Sequence, residues 1–296
     1  MVQVHSERPR DEGRALDGVL GALTVTATGP DRFVAPSIDD GLSRIFGGQL
    51  LAQALIAAAG TVDRTVLAHS LHAHFLRSGD PAQSVEFAVS RVRDGRRLHT
   101  RTVTASQAGR ALLTMTVSFA DPADAARAEG PDHQGRAPVG PSPESLPTLA
   151  QWAEPWGGLS RAWVVADALD IRIVPKPPLG SSLVWQRVVG PLPCTAAVLH
   201  QALLVYLTDM TTLSAVLVPH GVPIGAQRYN GRCWSGVSID HAVWFHRQVR
   251  ADDWLLFAQE SPAASAGRGL ARADVFTRDG TLAASVAQQG MFSSRA

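Results

Sequence analysis

Cysteine is scarce in this chain. Cys194 and Cys233 are the only two in 296 residues and lack C-x-x-C spacing, which excludes a disulfide framework. Both thiols are expected to be structural, and the expected compartment is a reducing cytoplasm. Lysine is scarcer still, with Lys176 alone among 27 basic residues, which reads as coding bias rather than as chemistry. Neither sign of charge is in excess, since 27 Lys and Arg face 26 Asp and Glu for a net +1. Binding nucleic acid by neutralising phosphates requires a basic excess, so no nucleic-acid partner is expected. No uninterrupted apolar run approaches the ~18 residues of a membrane-spanning helix, so no membrane insertion is expected. The charged amino terminus, MVQVHSERPRDEGRALDGVL, lacks the apolar stretch of a secretory signal. Also missing are G-x-S-x-G, G-x-x-x-x-G-K-[ST], a strand-linked G-x-G-x-x-G and H-E-x-x-H, which argues against serine-hydrolase, nucleotide and zinc-protease chemistry.

What is present is an ordinary globular composition, 45% hydrophobic and 18% charged, in a length that suits two units of domain size. The Pro-, Ala- and Gly-rich stretch from Asp121 to Thr148 has no apolar periodicity and reads as an exposed linker. It separates residues 1–120 from residues 149–296, and these two parts repeat one pattern. In front, Gly47-Gly48 opens QLLAQALIAAAG (Gln49 to Gly60). Behind, AAVLHQALLVYLTDM (Ala196 to Met210) is equally apolar on all sides, as a buried helix requires. Strand-like runs rich in Val, Thr and Phe follow each helix, at 69–77, 84–95, 97–109 and 110–119, and at 237–247, 253–267, 268–280 and 281–292. Gln49-Leu50-Leu51 aligns with Gln201-Ala202-Leu203, Arg77 with Arg247, Arg101 with Arg272, and Gly109 with Gly280. The wider helix-to-strand spacing behind marks an insertion at Thr211 to Gly236, and insertions of that length are often functional. A helix against an antiparallel meander, twice in one chain, is an α+β architecture whose two sheets can join edge to edge.

Two residues break the apolar pattern in the rear part alone. Asp209 lies on the helical stripe Val198, Ala202, Val205, Asp209, which should be buried, and its counterpart in front is Ala57. An unpaired carboxylate there costs several kcal/mol by desolvation and is opposed by the dipole at its own helix end. The plain alternative is a side chain that escapes to solvent at a frayed end or caps a nearby loop. Gln288 lies in the more apolar strand phase, Leu282, Ala284, Val286, Gln288, opposite Val117 in front; the plain alternative is a satisfied core amide. Periodicity puts Val237, Ile239, Val243 and Phe245 on the inner face and Ser238 on the other, unless a bulge redirects its hydroxyl toward the helix. Histidines form a rival set, with His69, His72 and His74 in front and His241 and His246 behind. They have no Cys or Glu ligands beside them, so no metal is expected.

The blocks FGGQLLAQAL (Phe46 to Leu55), HSLHAHFLRSGDP (His69 to Pro81), RDGRRLHTR (Arg93 to Arg101), SIDHAVWFHR (Ser238 to Arg247), DDWLLFAQESPAASAGRGLARA (Asp252 to Ala273) and SVAQQG (Ser285 to Gly290) resemble the type II acyl-CoA thioesterases, the TesB-like family. The resemblance implies a double hotdog fold and hydrolysis of fatty acyl-CoA by a water held between Asp209, Ser238 and Gln288, without a cofactor. It implies an apolar tunnel between helix and sheet for the acyl chain and arginines at its mouth for the CoA phosphates. Arg268 and Arg272 are the candidates, with His69 as a further substrate contact. A homodimer or homotetramer is also implied. Gln289, where the family commonly has Glu, and the segment Arg97 to Arg101, which lacks a central aromatic, depart from the family pattern. The first is expected to leave catalysis alone and the second to touch substrate preference. Two other readings remain: a hotdog enoyl-CoA hydratase, for which no D-x-N-P-x-H-like segment is found, and a non-catalytic acyl-CoA-binding protein.

Overall fold

The computed structural model describes residues 12–295 except 40, 128, 161–162, 164–165, 176–180, 193–196, 227 and 230–231. Cys194 lies outside the described residues, as does the side chain of Cys233. The front half comprises α1 (Glu12–Ala22), β1 (Thr26–Gly29), β2 (Arg32–Ala35), α2 (Gly47–Ala59), β3 (Leu67–Phe75), β4 (Val85–Asp94), β5 (Leu98–Gln107) and β6 (Arg110–Ala120). A short helix, α3 (Pro122–Arg127), lies inside the Pro-rich stretch read as a linker, and α4 (Leu149–Ala153) follows it. The rear half comprises β7 (Leu169–Ile173), β8 (Ser181–Val188), α5 (Ala197–Thr211), β9 (Arg228–Tyr229), β10 (Arg232–Phe245), β11 (Leu255–Ser265), β12 (Arg268–Thr277) and β13 (Leu282–Arg295).

Among the described residues the strands form one 13-stranded sheet in the order β1-β2-β4-β5-β6-β3-β10-β13-β12-β11-β8-β7, with β9 beside β10. The order of one half mirrors that of the other about the β3–β10 pair, which is antiparallel from His74↔Asp240 to Ser70↔Trp244. This seam makes one sheet of two and removes an unpaired edge from each half. Period-two alternation aims Val85, Phe87, Val103, Ala105, Met115 and Val117 inward, all buried. Both long helices lie under that face. Their apolar residues are buried all round, as with Leu50, Leu51 and Leu55 in α2 and Ala202 to Leu207 in α5. The helices touch where α2 is slimmest: a Cβ on Gly48 would lie 2.8 Å from the Tyr206 carbonyl oxygen, and Phe46 meets the Tyr206 ring edge-on at 4.9 Å. This is the α+β double hotdog arrangement.

Several features differ from the sequence reading. The hairpins β1–β2 and β7–β8 and the helix α1 lie outside the sequence reading; β1, β2 and β7, at four or five residues, are too short for periodicity to speak. α5 does not end at Asp209; it runs to Thr211 and continues as a 3₁₀ helix, Thr212–His220. The resulting stretch, Ala197–His220, is long and apolar enough to cross a membrane by composition, but most of it is buried inside the fold as a core helix. Strand pairing also corrects one alignment. Arg101 pairs with Val117 as Ala271 pairs with Gln288, so the counterpart of Arg101 is Ala271 and not Arg272. Arg101 is buried and ties Thr61, Asp94 and the Arg93 carbonyl together. In the rear half the 3₁₀ helix fills that place, with Val216 packed on Ala271 and over Gly269.

Candidate active site

α2 begins without the usual provision for its first turn. Phe46 offers no side-chain cap, and no acidic residue stands in that turn, so the N–H groups at its start need an acceptor from elsewhere. Asp209 is the group that reaches them: a Cβ on Gly47 would lie 2.6 Å from its Oδ2, and the Gly48 N–H favours its ionised form. The aspartate therefore sits at the start of the other helix of the pair. The dipole of α2 favours the anion there, which offsets the unfavourable end of α5.

The remaining two residues singled out on the rear half converge on this carboxylate. The Gln288 amide Nε2 donates to Asp209 Oδ1 at 2.5 Å and to Ser238 Oγ at 2.9 Å. Gln288 is fully buried, in the phase that alternation assigned to it. Ser238 arrives by a bulge. The β10–β13 register shifts between Ser238 and Asp240, so Ser238 pairs with Gly290 and His241 with Gln288. The strand thereby changes phase at Ile239: His241 and Val243 face inward beyond it, while Val237 is 42% exposed before it. Val237 is thus no part of the inward row. Beside these groups His241 is buried, its Nδ1 3.9 Å from Asp209 Oδ1 and its Nε2 2.9 Å from Thr208 Oγ1.

Burial pushes the Asp209 carboxyl from 3.8 up to about 7, against the Gln288 and Gly48 hydrogen bonds and the Arg44 charge, which lower it. Burial pushes the His241 imidazole down to about 4, with the Gln288 amide acting in the opposite sense. At neutral pH the site therefore holds a neutral imidazole and a carboxyl close to its midpoint.

Asp209 and Ser238 open on a cavity of about 420 Å³ lined by both halves of the chain. Leu50, Phe75, Met210, Leu213, Leu217 and Phe292 give it apolar walls, and Arg44 and Arg77 stand along it. The insertion inferred from the repeat comparison forms one wall, through Leu213, Leu217, Pro223 and Trp234. Gln288 lies behind Asp209 and Ser238 and does not line the cavity. Nor do the three candidate substrate contacts. His69 sits in the front half against Ser118 Oγ at 2.8 Å. Arg268 and Arg272 are exposed on β12, opposite Met291 and Ala287 of β13. Nothing in the sequence marks Arg44 and Arg77 for this place, and Gly47-Gly48, read only as the opening of an apolar helix, is the signal from which a close approach could have been inferred. His72 lies outside the site, stacked edge-on against Trp244 at 5.1 Å. Among the described residues no three His, Cys, Asp or Glu side chains gather as a metal site would require.

Two family models match this chain, one described as acyl-CoA thioesterase over residues 178–291 and one as acyl-CoA thioesterase N-terminal domain over residues 35–120. The chain is 33% identical over 272 residues to acyl-coenzyme A thioesterase 8 of Rattus norvegicus, a match covering 85% of this chain and 81% of that one. It is 31% identical over 274 residues to acyl-CoA thioesterase 2 of Haemophilus influenzae, covering 88% and 91%. The solved structure of acyl-CoA thioesterase II TesB2 from Mycobacterium marinum superposes with a TM-score of 0.76 at 34% identity, covering 95% of this chain and 99% of that one. A hot dog fold protein of unknown function from Alicyclobacillus acidocaldarius shares the fold, with a TM-score of 0.74 at 19% identity over 94% and 98% of the two chains.

Proposed function

The chain belongs to the acyl-CoA thioesterase family, whose members hydrolyse thioester bonds, and from that membership we propose that it cleaves fatty acyl-CoA with a water held on the cavity side of Asp209 and Ser238. The observation that carries the assignment of residues is the buried Asp209 carboxylate, hydrogen-bonded by Gln288 and open to an apolar cavity. Asp209 takes a proton from the water as its oxygen attacks the thioester carbon. The tetrahedral adduct then collapses, the C–S bond breaks, and the proton passes to the departing CoA sulfur, giving free acid and thiol. Ser238 accepts from Gln288, which leaves its own O–H to orient the water. Both amide protons of Gln288 are engaged by Asp209 and Ser238, so its role is to hold the two in register.

The apolar walls suit the acyl chain. Arg44 and Arg77, in the place first given to Arg268 and Arg272, suit the phosphates of CoA as exposed cations at the same cavity. A homodimer or homotetramer in the cytoplasm is the proposed setting, and light scattering measures the first part of it. A hydratase would need an imidazole that reaches substrate, whereas His241 beside Asp209 has no exposed side-chain surface, so hydrolysis is the better-supported reading. Following thiol release from acyl-CoA of graded chain length tests it. Wild type is expected to turn over and Asp209→Asn to lose ~10²-fold or more in kcat. Unchanged turnover in the variant would sink the assignment of the base, and tight acyl-CoA binding without any thiol release would favour a binding protein.

A further inference from the structure

We propose that His241 is a positioning residue for this site: linked to Thr208 on one side, it fixes which way round the Gln288 amide sits, and hence what Asp209 and Ser238 meet. The catalytic consequence rests on the hydrolase reading above; the hydrogen-bond arrangement does not.

The two halves of the chain supply the comparison. Leu71 pairs with Val117 across β3–β6 as His241 pairs with Gln288 across β10–β13, so Leu71 and His241 are equivalent positions. Ile56 in α2 stands where Thr208 stands in α5, one residue before Ala57 and Asp209 respectively. The front half fills both places with hydrocarbon, so the fold itself has no need of polarity there. In the rear half both are polar and buried, Thr208 at 0% exposure and His241 at 1%. Buried polar groups cost stability unless they are hydrogen-bonded, and this pair adjoins Asp209, Ser238 and Gln288, whose places in the front half are apolar.

Hydrogen bonding around the ring defines what the pair does. Thr208 Oγ1 lies 2.9 Å from His241 Nε2 and 2.7 Å from the Val205 carbonyl oxygen, so its single proton can serve either. On the other side, His241 Nδ1 and Gln288 Oε1 are both buried without a hydrogen-bond partner among the described residues. They belong to cross-strand partners that share the inner face. A proton on Nδ1 makes the ring a donor on the side of the amide oxygen, while Nε2 accepts the Thr208 hydroxyl. The amide is thereby set with its NH₂ toward Asp209 and Ser238. Turned over, it would press Oε1 against the carboxylate oxygen. The 3.9 Å from Nδ1 to Asp209 Oδ1 is too long for a hydrogen bond, so His241 acts through Gln288 rather than as a partner of the base.

Steady-state kinetics and ring-nitrogen NMR on the full chain test this. His241→Leu installs the residue that the front half already carries, and His241→Asn keeps an N–H donor close to the place of Nδ1. The expected result for His241→Leu is a fall in kcat of about 10- to 100-fold with KM changed by no more than about twofold, with most of the loss recovered in His241→Asn. The ¹⁵N spectrum of His241 in wild type is expected to show the Nδ1–H tautomer, reverting to Nε2–H in Gln288→Leu. Leu and Asn variants equally impaired, an unimpaired Leu variant, or an Nε2–H ring in wild type would each overturn the proposal. If His241→Leu fails to fold, Thr208→Val takes its place, with the same selective loss in kcat expected. A wild type that shows the Nδ1–H ring but releases no thiol would uphold the hydrogen-bond arrangement and fail the hydrolase reading alone.

Discussion

Asp209 meets two helix ends at once, near the last turn of its own helix and at the first turn of α2, and its chemistry follows from that. The fold binds its proton more tightly than the unfolded chain does, at about 7 against 3.8. The stability this confers is fully present below 3.8 and is lost as pH rises through 7. The loss is on the order of 4 kcal/mol. Asp209→Asn is therefore expected to raise the unfolding free energy by ~1–3 kcal/mol at about pH 8 and by little near pH 4, where the aspartate is itself neutral. Denaturant melts at the two pH values check this. In the proposed role as base, only the ionised carboxylate accepts a proton, so kcat/KM should climb with pH about a midpoint near 7. Arg44 and Arg77 make a separate prediction. Alanine at both should raise KM for acyl-CoA by ~10-fold, more at low salt, and leave KM for an acyl thioester without the nucleotide unchanged. An equal rise for both substrates would place these arginines elsewhere than on phosphate.

Among elements, the start of α2 decides most. Two glycines there serve different contacts, and alanine separates them. A Cβ on Gly47 meets the Asp209 carboxylate and the Phe75 ring, whereas one on Gly48 meets the Phe46 ring and the Tyr206 backbone. Gly47→Ala should leave the melting temperature nearly unchanged and lower kcat by ~10²-fold through a misplaced carboxylate. Gly48→Ala should instead cost ~1–3 kcal/mol, because two helix backbones must part. Thermal melts beside thiol-release assays distinguish the two. The β10 bulge is the other decisive element. Alternation read straight through Ile239 puts Ser238 on the wrong face, and one unpaired residue reverses that. Nothing local marks the bulge, because it is set by pairing with β13, far away in sequence.

In the molecule as a whole, the two repeats are alike in topology and unlike in chemistry. Where the rear half has Asp209, Ser238 and Gln288, strand pairing and helix alignment put Ala57, Ala68 and Val117 in the front half, all buried. Gln201 closes the equivalent place through both backbone hydrogen bonds of Ala68. One site per chain follows, and calorimetric titration with a non-hydrolysable thioether analogue of acyl-CoA should saturate at about one molecule per chain, two being excluded by the hydrocarbon at the second position. Amino-acid order by itself determined the doubled helix-and-meander pattern, the inward aim of Gln288 and the asymmetry that sets Asp209 apart from Ala57, because these depend on short-range periodicity and on comparing one half with the other. The tertiary structure alone decided that Asp209 meets the start of α2, that Ser238 turns inward, and that Arg44 and Arg77 line the cavity while Arg268 and Arg272 do not. Each of those depends on contacts between segments distant in the chain, made only when β3 pairs with β10 and the two helices close on each other.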